Sequence, residues 1–363
     1  MKWIILILVI PYLYIYLRIF ISLRRIIPFA GIPDQKIMLS VVSACRNEEL
    51  SVPYLLADLE KQDYDPDLFE VLIVDDNSSD STFQTATEFT GIKNLRVLRN
   101  NGSGKKEALM TGISEAKGEL IITTDADCRA GRQWLITIAA FYEMTRADMI
   151  IGPVSVSGSA GFLNRFQELE FLALQGVTAG TARAGDPVMC NGANLAFSRN
   201  VYLKNYGNLH NEKVSGDDIF LLHSLKNEPG SKIKWIESQD ALVKTSCAPD
   251  WKSFLRQRGR WISKAGAYRD RATIILAIVT FVTNMIQPLL IMAGFFDPVF
   301  LLIFPAFLLI KSVPDYLIIK TTASARGGEV AMKWFLPSQI FYPWYIIATL
   351  SGLTLRDEKW RHG

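Results

Sequence analysis

The chain has 363 residues, 49% of them hydrophobic, and a formal net charge of +3, which suits one large domain or two modest ones. So small a charge gives no argument for nucleic acid, and no nucleic-acid partner is expected. Cys45, Cys128, Cys190 and Cys247 show no Cys-x-x-Cys spacing and no histidine partner, which argues against zinc and for reduced thiols in a cytosolic domain.

The apolar residues gather at the two ends of the chain. Residues 3–23 form an apolar run of about twenty, long enough to cross a bilayer as a helix. A cleaved secretory leader is the competing reading. The run is too long for one, and it lacks a small-residue cleavage site. Arg18, Arg24 and Arg25 stand against Lys2, so the positive-inside rule puts the following domain on the cytoplasmic face of a plasma or inner membrane.

Residues 38–44 read as a first strand, and 51–62 as a helix with Leu55, Leu56 and Leu59 on one face. A strand over 69–74, a helix over 82–90, a strand over 95–98 and a helix over 107–116 follow. The run Leu120-Ile121-Ile122-Thr123 reads as a strand buried on both faces, and it leads into Asp125 and Asp127. This alternation predicts an α/β fold with a doubly wound, mostly parallel sheet and right-handed crossovers.

In such a sheet, ligands bind at the carboxyl ends of the strands. Successive strand ends deliver Glu48, Asp75 with Asp76, Lys105, and Asp125 with Asp127 to one edge. Two carboxylates spaced i, i+2 can face one hard cation, Mg2+ or Mn2+, whose other ligands are phosphate oxygens and water. Each group also has a plainer reading. Asp125 and Asp127 can be solvated turn residues, Asp75 to Ser78 a helix cap, and Lys105 a helix-start lysine. Unrelated caps rarely fall at every successive strand end, and their joint occurrence favours a site. Gly104-Lys105 lacks Walker A spacing and is no P-loop.

The series Asn47-Glu48, Val74-Asp75-Asp76-Asn77-Ser78-Ser79-Asp80, Gly104-Lys105 with Ala108-Leu109, and Asp125-Ala126-Asp127 resembles a family 2 glycosyltransferase of the GT-A fold. Asn191-Gly192-Ala193-Asn194 resembles the acceptor-side loop of that family. Ser215-Gly216-Asp217-Asp218 stands where the family has Thr-Glu-Asp or Gly-Asp-Asp. Gln257-Arg258-Gly259-Arg260-Trp261 matches the Gln-x-x-Arg-Trp motif of its membrane-bound members. The resemblance covers roughly residues 38–265.

It implies an inverting transferase using a nucleotide-sugar donor, with uridine the expected nucleoside. Asp76, beside Asp75 and with Glu48 nearby, would accept from the base or ribose. Asp127, helped by Asp125, would hold the cation. Lys105, Gln257, Arg260 and Trp261 would serve the donor, and Asn191, Gly192 and Asn194 the acceptor. Asp218 would be the general base, with Asp217 as its support. The plainer readings leave Arg260 a membrane-surface arginine, and Asp217 and Asp218 the first-turn acids of a helix.

Residues 251–264 read as an amphipathic helix in the headgroup region. Residues 273–295 and 299–319 read as two spans joined by Asp297-Pro298. Lys311 and Asp315 can neutralise each other, or contact a polar acceptor head. Residues 334–353 contain Pro337, Gln339 and Pro343. Crossing there would put Arg356, Lys359 and Arg361 outside, against the positive-inside rule; a re-entrant or interfacial path avoids this.

The expected layout is a membrane helix over 1–25, a transferase domain over 36–250, an interfacial helix over 251–271, membrane helices over 272–354 and a basic tail over 355–363. It is similar to that of ceramide glucosyltransferases, which implies a membrane lipid or lipid-linked acceptor. The alternative is a processive polysaccharide synthase of the cellulose, chitin or hyaluronan type, for which so few membrane segments give no obvious pore. A non-catalytic sugar-nucleotide binding protein and a hydrolase are the readings from other classes.

Overall fold

A computed structural model describes residues 2–31, 37–209 and 216–353. Ser215 and the basic tail with Arg356, Lys359 and Arg361 lie outside them. The chain runs α1 (Ile10–Leu23), β1 (Leu39–Cys45), α2 (Val52–Glu60), β2 (Phe69–Asp75), α3 (Thr82–Thr87), β3 (Leu95–Arg99) and α4 (Lys105–Glu115). It continues with β4 (Leu120–Thr123), β5 (Arg129–Ala130), α5 (Trp134–Thr145), β6 (Met149–Ile151), β7 (Val154–Ser157) and α6 (Phe162–Arg183). Then come β8 (Leu195–Ser198), α7 (Arg199–Asn205), α8 (Asp217–Lys226), β9 (Ile233–Trp235) and β10 (Val243–Ser246). The last helices are α9 (Trp251–Ile262), α10 (Arg271–Gly294), α11 (Val299–Arg326) and α12 (Phe335–Leu353).

These elements divide into two compact units. Of the described residues, the sheet unit holds 27–31, 37–157, 189–209 and 216–246, and the helical unit holds 2–26, 158–188 and 247–353. The main sheet has the strand order β3-β2-β1-β4-β8-β6-β9, and β8 alone among them runs against its neighbours. This is the mostly parallel α/β sheet expected. Every residue of β1, β2 and β4 is buried, as suits mostly apolar strands covered on both faces, and the polar side chains Ser40 and Glu70 are paired with each other at 2.7 Å. Cys45, Asp75 and Arg99 lie in register across β1, β2 and β3, so those strands end at one edge. A second sheet has the order β5-β10-β7. Helix α4 starts at Lys105, two residues before the expected 107, because Gly104 at φ 104° turns the chain in a region that suits glycine.

In the helical unit, Ile5–Leu23, Arg271–Gly294 and Val299–Arg326 are long and apolar enough to cross a membrane. The last runs past the expected end at 319. Helix α12 is not among them, yet it is continuous through Pro337 and Pro343. Pro337 falls in the first turn, where a missing N–H breaks no helical bond. Leu336, Ile340, Trp344 and Ile347 form an exposed apolar stripe along it. Phe335 packs instead on the Leu169 and Leu172 cluster, and Tyr345 on Phe166 and Phe254.

Residues 158–188, expected within the transferase domain, belong to the helical unit because they fold as α6. Two glycines let this helix approach its neighbours. A Cβ on Gly176 would lie 2.5 Å from Ile318 and Thr322, and one on Gly180 2.7 Å from Ile19. On α11, Lys311 and Asp315 are buried and paired at 2.8 Å. Lys311 also donates to Gln339 at 2.7 Å, and the Tyr12 hydroxyl donates to Asp315 at 2.5 Å.

Candidate active site

The loops after β1 and β2 are stapled to each other. Asn47 and Asn77 hold φ values of 53° and 55°, left-handed conformations that asparagine tolerates better than most residues. The Asn47 amide donates to the Ser78 hydroxyl at 3.0 Å, and the Ser79 amide donates to the Asn47 side chain at 2.8 Å. The Asn77 side chain donates to the Gly102 carbonyl at 2.8 Å. Glu48 is buried, and its amide donates to the Thr82 hydroxyl at 2.7 Å. Neither Asp75 nor Asp76 caps a helix, since α3 begins at Thr82 behind Ser81.

The two acids at this edge differ. Asp76 is fully buried, and its carboxylate accepts from Asn100 Nδ2 at 2.6 Å and from the Gly104 amide at 2.9 and 3.0 Å. Arg46 stands 3.5 Å away. These partners occupy the carboxylate and brace neighbouring loops. Asp75 is also buried, and its Oδ2 takes the Ser78 amide at 3.4 Å. Its Oδ1 has no hydrogen-bond partner among the described residues. A buried acceptor without a donor carries a desolvation penalty. Asp75 thus keeps one carboxylate oxygen unmatched among the described residues, beside Asp76, which was expected to meet the base or ribose.

Lys105 Nζ donates to Asp125 Oδ1 at 2.5 Å. Burial disfavours its charge, but Asp125, Asp217 and Asp218 outweigh that and hold its pKa above the usual lysine range. Lys105 is therefore no solvated helix-start residue. It is the cation shared by the Asp125 rim and the start of α8.

Possible ligand atoms of Asp125, Asp127 and Cys128 lie within 4.8 Å of one another. Asp127 is an exposed residue at the rim, yet desolvation of its carboxyl and then the Asp125 charge push it up to about 6, against the pull of Lys105. Such crowding of like charges is what a bound cation relieves. Burial, and then Asp125 and Asp127, push the Cys128 thiol well above its ordinary value. The two carboxylates fit a hard cation such as Mg2+ or Mn2+.

Helix α8 begins at Asp217, behind Gly216 at φ 100°. The Gly192 amide donates to Asp218 Oδ2 at 3.1 Å, and the Ile219 amide donates to Oδ1 at 2.8 Å. The Thr123 hydroxyl donates to the Gly192 carbonyl at 2.9 Å. The end of β4, the loop with Asn191 and Gly192, and Asp218 therefore form one cluster. Asp217 and Asp218 are first-turn acids, as the plainer reading has it, and a helix N-terminus favours their ionised forms.

Asn194 departs from its expected acceptor-side role. It is 1% exposed. Its Nδ2 donates to the Pro153 and Ala241 carbonyls at 2.8 Å each, and its Oδ1 accepts from Trp134 Nε1 at 3.1 Å. The amide supports the loop from below. Asn194→Ala is expected to lower the unfolding free energy by about 2–3 kcal/mol, read by chemical unfolding, because its buried partners lose their matches.

Gln257, Arg260 and Trp261 lie on α9 in the helical unit, at i, i+3 and i+4, and all are partly exposed. Several supporting residues escaped the sequence reading. Asn100 follows the third strand end and was a readable signal. Arg46 was hidden in a turn.

A mostly parallel sheet with an acidic rim at its strand ends is the architecture of the GT-A fold. Residues 40–205 match the model of Glycosyl transferase family 2. Glycosyltransferase AglE of Haloferax volcanii is 28% identical over 182 residues, covering 50% of this chain and 58% of that protein. Undecaprenyl-phosphate 4-deoxy-4-formamido-L-arabinose transferase of Aeromonas hydrophila is 38% identical over 94 residues, covering 25% of this chain and 29% of that protein. The solved mannosyltransferase PcManGT from Pyrobaculum calidifontis, in complex with GDP-Man and Mn2+, aligns over 95% of this chain and 94% of its own. Its TM-score is 0.61 at 19% identity, which shows a shared fold. The chain spans between 20% and 58% of the lengths of the curated relatives it matches.

Proposed function

We propose that the chain is an inverting, divalent-cation-dependent glycosyltransferase. It moves a sugar from a nucleoside-diphosphate donor to a hydroxyl of a membrane lipid or lipid-linked acceptor. The observation that carries this reading is the cluster of Asp125, Asp127, Lys105 and Asp218 at one sheet edge.

Asp125 and Asp127 would hold the cation, which supplies positive charge to a departing diphosphate when bound. Lys105 is the chain's own cation at the same rim and stabilises negative charge there. Asp75 Oδ1 receives an N–H of the nucleobase, which a uracil or a guanine can offer. The resemblance of the Gln-x-x-Arg-Trp motif assigns Gln257, Arg260 and Trp261 to the donor as well. Asp218 takes the proton from the acceptor hydroxyl as its oxygen bonds to the anomeric carbon. The bond from that carbon to the diphosphate breaks, and its electron pair leaves with the diphosphate. One such displacement inverts the anomeric centre.

The base also bears on the acceptor. A hydroxyl must lose a proton, whereas a phosphate is already an anion and would meet Asp217 and Asp218 as like charges. The three apolar helices keep the enzyme where lipid acceptors are found. Arg24 and Arg25 mark the cytoplasmic side. Helix α12 lies in the interface with its apolar stripe toward the acyl chains, which keeps the basic tail cytoplasmic.

The test gives the purified full chain in detergent a panel of nucleotide sugars, a membrane lipid extract and Mn2+, with products weighed by mass spectrometry. One sugar per lipid is expected, with nucleoside diphosphate released only when lipid and cation are both present. Chelation should abolish transfer, and added Mn2+ should restore it. A ladder of sugars would move the reading to a processive synthase. Release without lipid would move it to a hydrolase, and no turnover of any donor would sink it.

A further inference from the structure

Arg258 occupies a variable position of the Gln-x-x-Arg-Trp motif, yet its long side chain is buried, 4% exposed. Its Nε lies 2.9 and 3.0 Å from the two carboxylate oxygens of Glu170 on α6, and its Nη2 lies 2.5 Å from Oε2. The Tyr345 hydroxyl donates to Glu170 Oε1 at 2.8 Å. Glu170 is thus fixed from α9 and α12 together.

The far side of the same guanidinium touches the motif. Arg258 Nη1 donates to Gln257 Oε1. The guanidinium carbon lies 4.0 Å from the centre of the Trp261 ring and 4.7 Å from that of Phe254. A buried ion pair of this kind adds little net stability over apolar packing. What it adds is orientation. The planar fork cannot turn without losing its bonds to Glu170, and a lysine could not hold this geometry. Helical spacing alone leaves Gln257 free to change rotamer.

We propose that Glu170 is a positioning residue, which acts through Arg258 to fix Gln257 and Trp261 for sugar transfer. This rests on the reading that those two residues serve the reaction. Glu170→Gln and Arg258→Lys are compared with Gln257→Ala and with the double variant Glu170→Gln/Gln257→Ala, all in the full chain. Readouts are kcat, donor KM, the melting temperature, and the Trp261 share of the emission, taken as the difference from Trp261→Phe.

Glu170→Gln and Arg258→Lys are expected to lower kcat by up to about 10²-fold, the usual effect of a misplacement near 1 Å. Donor KM should move much less, and the Trp261 emission should shift. The double variant should be no slower than Gln257→Ala. Should Glu170→Gln fail to fold, Tyr345→Phe removes one bond to the carboxylate while keeping the ring, and it should lower kcat at an unchanged melting temperature. Multiplied losses in the double variant would overturn the proposal, as would a kcat that falls only with the folded fraction. If Gln257→Ala and Trp261→Ala leave transfer intact, the reading of the motif fails. The positioning claim is then decided by the Trp261 emission alone.

Discussion

Asp218→Asn is expected to lower sugar transfer by about 10²–10⁴-fold, the range for loss of a positioned general base. The substitution is nearly isosteric. An asparagine oxygen can still accept from the Gly192 amide, as Asp218 Oδ2 does at 3.1 Å. The loop held by Thr123 should therefore stay in place, and donor binding, measured by titration with nucleoside diphosphate, should persist. The effect belongs in kcat. It also sorts the acceptor classes, because an anionic phosphate acceptor needs no base. If transfer survives in the variant, the hydroxyl reading falls while the donor site stands. A loss of donor binding in step with transfer would instead mean that Asp218 holds the loop rather than moves the proton.

The sheet edge could be read in advance because the physics there is local. A strand buried on both faces is mostly apolar, so a cluster of acids marks where it ends. That rule located Asp75, Asp76, Asp125 and Asp127. It could not divide labour between adjacent acids. Successive residues at a strand end point opposite ways, and which of Asp75 and Asp76 is braced depends on Asn100 and Gly104 arriving from the next turn. Asn194 misled for a related reason. A buried amide that ties three segments together has the same letter as one that waits for a ligand. Helix α6 was missed because Gln167, Glu168, Glu170 and Gln175 are buried polar residues and break its apolar period. Their partners, Arg165, Arg258, Tyr345 and the Ala248 backbone, include three distant in sequence, which no local pattern reveals.

Lys311→Met alone is expected to destabilise the helical unit by about 3–5 kcal/mol, because it strands a buried carboxylate. Lys311 and Asp315 are 2% and 9% exposed at their side chains, and the pair lies within a helix apolar enough to cross a membrane. Water cannot replace the lost partner there. Tyr12 already donates to Asp315, but one hydroxyl does not neutralise an anion. The double variant Lys311→Met/Asp315→Leu should recover most of the loss, since it removes both charges at similar volume. Thermal unfolding in detergent reads both. Equal loss in the single and double variants would show that packing against Gln339 and Tyr12, not charge, is what the site requires. A third result has a different meaning. If Lys311→Met melts normally but raises the KM for lipid, the lysine meets an acceptor head and its bond to Asp315 is only its resting contact.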